Sequence, residues 1–131
     1  MAVDKASVVV LDAAEPLELA EFYARFLGGE ARVGSNPDYV EIVEPSGVRV
    51  AIRRDRGAAP PSWPRPDTSQ QAHLHFLVPQ DDMDEAEREA IDLGARPLET
   101  RDNGGRHDIR RYSDPAGHPF VLAASEGHGL A

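Results

Sequence analysis

The sequence contains no cysteine in its 131 residues. That excludes disulfides, thiolate metal sites and thiol nucleophiles, and it fits a reducing, cytoplasmic setting. Basic residues are in the minority: 14 Lys and Arg stand against 23 Asp and Glu, a formal charge of −9 at pH 7. Nucleic acid is therefore not expected as a partner, because no basic excess offsets repulsion from a phosphate backbone. Long apolar runs are also missing. Stretches such as Val8 to Leu11 fall far below the roughly 20 residues a helix needs to cross a bilayer, so no membrane partner is expected. The N-terminal Met1-Ala2-Val3-Asp4-Lys5 has no apolar region behind its charge, which reads against a signal peptide. No Walker-type phosphate loop, nucleophile elbow or paired-carboxylate signature occurs.

What the chain does contain is a turn followed by a strand, twice. Glu44-Pro45-Ser46-Gly47-Val48-Arg49-Val50-Ala51-Ile52 is echoed by Asp114-Pro115-Ala116-Gly117-His118-Pro119-Phe120-Val121-Leu122. Proline pre-sets φ for the first corner, glycine accepts the positive φ that follows, and the apolar run after each turn predicts a strand. The remainder repeats as well. A β-branched strand, Ser7 to Leu11, leads into a helix opened by Pro16, with Leu19, Phe22, Tyr23, Phe26 and Leu27 on one face and Gly28-Gly29 as its stop. Glu30 to Val33, Tyr39 to Val43 and Val48 to Arg53 complete the first module. The second begins with a strand from Ala72 to Val78. A helix face follows at Met83, Ala86, Ala90, Ile91 and Leu93, closed by Gly94. Strands are predicted at Arg96 to Glu99, His107 to Tyr112 and Pro119 to Ala123.

The fold class is thus α+β: two tandem βαβββ modules in one domain over 1–131. Module one covers about 6–54, a proline-rich crossover 55–71, module two about 72–124, and a loose Gly-rich tail 125–131. One helix covers one face of a four-stranded sheet, so the other face requires a partner, and the second module is the natural one. Strand alternation sorts the side chains. Val9, Leu11, Val48, Val50, Ile52, Leu74, Phe76, Val78, Phe120 and Leu122 are assigned to the helix side. Val8, Val10, Arg49, Ala51, Arg53, His73, His75, Leu77, Val121 and Ala123 fall on the other side. A face mixing apolar groups with imidazoles and guanidinium groups is a candidate cavity wall.

This arrangement resembles the vicinal oxygen chelate superfamily, which includes glyoxalases, extradiol dioxygenases and bleomycin-resistance proteins. The resemblance is carried by Leu19-Ala20-Glu21-Phe22-Tyr23 with Leu27-Gly28, by His73-Leu74-His75-Phe76, and by Asp114-Pro115-Ala116-Gly117-His118-Pro119-Phe120. The Trp63-Pro64 crossover before His73 resembles a glyoxalase-like subgroup of it. Metal-dependent members draw one ligand from each of the first, fourth, fifth and eighth strands. The resemblance puts those positions here at Val8, Ala51, His73 and Val121, of which only His73 can bind a metal. No divalent metal or other cofactor is therefore expected. A homodimer is expected from the family.

The candidate ligand-binding residues are His73, His75, Arg53, Arg49, Trp63, Val8, Ala51 and Val121, with His73 as the candidate catalytic residue. Imidazoles titrate near neutrality and suit proton transfer or hydrogen bonding. Arg53 has the planar fork to hold a carboxylate, and Trp63 has a face on which a planar ligand could stack. Plainer readings stand beside these: His73 as a remnant ligand satisfied by backbone or water, the cluster Arg53, Arg54, Arg56 as solvated strand ends, Trp63 as a plug. The cluster Arg106, Arg110, Arg111 likewise reads as solvated strand ends, and His107, Tyr112 and His118 as structural. Three functions remain open on these residues: a metal-independent protein binding a small, partly apolar or aromatic molecule, a metal-independent lyase or isomerase using His73 as acid/base, and a structural module with a vestigial site.

Overall fold

The computed structural model of the protein describes residues 3–57, 72–99 and 105–127. The chain divides into two compact units, Met1–Ala58 and Ala59–Ala131. Each holds one four-stranded mixed sheet with the same topology.

In the first unit, β1 (Val9–Ala13) leads through a short bend into helix α1 (Pro16–Leu27), followed by β2 (Glu30–Val33), β3 (Tyr39–Glu44) and β4 (Gly47–Arg54). The sheet order is β1-β4-β3-β2. β1 runs parallel to β4, and the other two pairings are antiparallel. Proline occupies the first turn of α1, where its missing N–H leaves no helical bond unmade. Gly28 ends the helix at φ 71°, in the left-handed region, and the Gly29 N–H closes the last turn on the Ala24 carbonyl at 2.8 Å. Leu19, Ala20, Phe22 and Tyr23 form the buried stripe, and they meet Val40, Ile42, Val50 and Ile52 from the sheet.

The second unit repeats the plan. β5 (Leu74–Val78) is followed by a single 3₁₀ turn and helix α2 (Met83–Asp92), then β6 (Arg96–Glu99), β7 (Ile109–Ser113) and β8 (Pro119–Ala124). Its sheet order is β5-β8-β7-β6, again with one parallel pair, β5 on β8. Met83 and Ala90 of α2 are buried, as are Tyr112, Phe120 and Leu122 of the sheet. Phe120 stacks on Tyr112 at 5.4 Å between ring centroids and meets Phe76 edge-on at 5.7 Å.

Three strands start two residues later than the sequence expectation. β1 starts two residues later than Ser7, and its parallel register with β4, which continues to Arg54, carries it on to Ala13. β5 begins at Leu74, so His73 lies just ahead of it. His107 is not in a strand: Gly105–His107 forms a 3₁₀ turn with Gly105 at φ 65°, and β7 starts only at Ile109. The expected Gly-rich turn lies partly outside the described residues, as does the crossover that carries Trp63.

Among the described residues no helix is long and apolar enough to cross a membrane.

Candidate functional site

Alternation along each strand determines which side chains turn away from the helix, and the register shows which stand in one row. In the first sheet, Val9 pairs with Val50 and Leu11 with Ile52 on the α1 side. Val10 pairs with Ala51, and Asp12 with Arg53, on the opposite side. The helix covers the sheet unevenly. Val9, on the helix side of the edge strand, is 44% exposed, and Val8, just ahead of β1, is 39% exposed. Ala51, in the strand next to it, is fully buried.

Both candidate arginines of this unit are engaged by carboxylates of their own sheet. Arg53 Nε donates to Asp12 Oδ1 at 2.9 Å across the β4–β1 pair. That hydrogen bond, and then the charge of Asp12, raises the guanidinium pKa above its ordinary value. Arg49 lies at a register shift: Ile42 pairs with Val50, but Val43 pairs with Val48, leaving Arg49 as the extra residue of a bulge. From there it grips Glu44 through both Nε and Nη2, and that contact raises its pKa also. The Glu44 side chain is almost wholly buried while that of Arg49 is largely exposed. The arginine therefore works as a cap on a buried carboxylate. Both arginine side chains stay largely exposed, so Arg53 is a solvated strand end that also carries an ion pair. Arg53 faces Asp12 across the β4–β1 pair, whereas Arg49 reaches Glu44 from the bulge.

In the second sheet the helix-remote face carries His75 and Leu77 of β5, with Leu77 52% exposed. His73 joins them, its Nε2 lying 2.8 Å from His75 Nε2 and the ring centroids 4.8 Å apart. Their spacing of two along an extended chain is what brings both rings to one side. β8, the neighbouring strand, is buried along its whole length. Its Val121 is the register partner of His75. On its other flank Val121 pairs with Arg111 of β7. His75, Val121 and Arg111 thus stand in one row.

The helix side of this unit holds a charged network that the sequence reading did not anticipate. Arg110 is buried, and its Nη2 donates to Asp108 at 2.7 Å and to Asp84 of α2 at 2.9 Å, with Glu87 at 3.3 Å from Nη1. The Tyr112 hydroxyl donates to Glu87 at 2.6 Å. Burial first, and that hydrogen bond second, push the phenol pKa well above its ordinary value. Arg110 is therefore no solvated strand end. It sits on the helix side of β7, one residue from Arg111, which points the other way. The clue was available in the strict alternation of Ile109-Arg110-Arg111-Tyr112-Ser113, which divides the two arginines between faces.

His118 is held in the Pro–Gly turn. The buried Asp114 carboxylate accepts backbone N–H groups from Ala116 at 2.9 Å and His118 at 3.0 Å, and lies 3.1 Å from His118 Nδ1. The aspartate shapes the turn, and the imidazole is oriented by it.

Of the four positions at which the resemblance expects metal ligands, Val8, Ala51 and Val121 offer no nitrogen, oxygen or sulfur donor. A divalent ion would find His73 alone among the four, with His75 beside it, and such ions need three or four donors. The residues present do not fit the family's metal. Among the described residues no group of three or more His, Asp or Glu side chains is placed to hold an ion.

Comparison with known proteins agrees with the topology. A family model described as a glyoxalase-like domain matches residues 8–123. No curated protein matches in sequence. Among solved structures, the fosfomycin resistance protein FosX from Listeria monocytogenes is similar with a TM-score of 0.71 at 14% identity, covering 94% of this chain and 92% of that one. FosX from Mesorhizobium loti gives a TM-score of 0.69 at 14% identity, covering 99% and 100%. A hypothetical protein, SA1046 from S. aureus, gives 0.69 at 13% identity, covering 94% and 95%. At these identities the likeness is one of fold. The duplicated βαβββ units, each with strand order 1-4-3-2, and a family match over nearly the whole length place this chain in the glyoxalase-like domain family of the vicinal oxygen chelate superfamily.

Proposed function

We propose that this chain binds a small, partly apolar or aromatic molecule, and does so without the divalent metal of its enzymatic relatives. One observation supports this above the others: aliphatic side chains occupy three of the four ligand positions, at Val8, Ala51 and Val121, while His73 keeps an imidazole at the fourth. One FosX neighbour was solved with Mn(II) and a dihydroxypropylphosphonic acid. The donor set here gives such an ion no comparable seat. What the second sheet does offer is the exposed His73/His75 pair, in the row of the buried aliphatic Val121. That pattern suits a partly apolar ligand. Trp63 belongs to this reading as a surface for a planar ring, and Arg49 and Arg53 as further candidate charged contacts within the first unit. We assign the protein to the cytoplasm and to a homodimer, on family grounds. Light scattering should then report about twice the 14.3 kDa chain mass. A monomer would remove the dimer.

A thermal-shift screen with planar natural products, run in EDTA, tests the binding. A stabilised melting transition is expected for at least one chemical class. A panel that leaves the transition unmoved speaks against the proposal.

A second reading has one specific observation in its favour. The 2.8 Å contact between His73 and His75 is a route by which a proton can pass between rings, as a metal-independent lyase or isomerase with His73 as acid/base requires. A turnover abolished by His73→Ala with the fold intact would support it. Turnover indifferent to that change would take the role away from His73.

A further inference from the structure

We draw no further inference here: the strongest candidate, the exposed run of Val8, Val9 and Val10 along β1 at the edge of the first sheet, is an apolar edge, and nothing in the structure shows what covers it.

Discussion

His73 and His75 share a hydrogen bond between their Nε2 atoms at 2.8 Å. One ring must donate and the other accept, so the accepting ring is neutral in this arrangement. Both residues are exposed, and neither anchors the core. His73→Ala should therefore change unfolding free energy by no more than about 0.5 kcal/mol. The same substitution should weaken the ligand found by thermal shift. Denaturant unfolding alongside a binding isotherm separates the two effects. A large loss of stability would make His73 a scaffold residue.

The buried network on the other side of the sheet behaves oppositely. Arg110→Met leaves Asp108, itself buried, without its guanidinium, and removing one partner of a buried pair costs about 3–5 kcal/mol. Arg53→Ala breaks only the exposed contact with Asp12, where about 1 kcal/mol or less is expected. Urea unfolding of the two variants should rank them clearly in that order.

Tyr112 sets an alkaline limit. Its folded pKa lies above the ordinary phenol value, chiefly through burial and then through the bond to Glu87. The proton is thus retained in the fold after the unfolded chain has released it. The stability contribution is complete below the unfolded value of about 10, and is lost as pH rises beyond it, by about 1.4 kcal/mol per pH unit. Tyr112→Phe should flatten that decline, at a cost near neutrality of about 1–2 kcal/mol for the lost hydrogen bond. Melting temperatures measured from pH 8 upward check both parts.

Two adjacent glycines answer to different physics. Gly28 needs only its left-handed φ of 71°, and a Cβ added there would meet open space, so Gly28→Ala should cost about 1 kcal/mol. At Gly29 a Cβ would stand 2.5 Å from the Val43 carbonyl oxygen, a backbone atom that cannot step aside. Gly29→Ala should cost about 1–3 kcal/mol through overpacking. Thermal unfolding of the pair gives the comparison.

The duplicated architecture was legible in the sequence because each module carries its own helix periodicity, its own glycine stop and its own Pro–Gly turn. Those signals are local. The bulge that detaches Arg49 from simple alternation is not local, since it depends on how β3 pairs with β4. Nor was the fate of Arg53 visible, because its partner Asp12 lies 41 residues away in sequence. The three-arginine cluster at Arg106, Arg110 and Arg111 looked uniform in composition, yet two consecutive strand positions send Arg110 and Arg111 to opposite faces.

The central claim is that ligand binding here needs no metal. Calorimetric titration of the planar ligand found by thermal shift into the EDTA-treated protein, repeated after adding Mn(II), tests it most directly. The account predicts saturable binding of equal affinity in both titrations. Binding that vanishes in EDTA and returns with Mn(II) would contradict it.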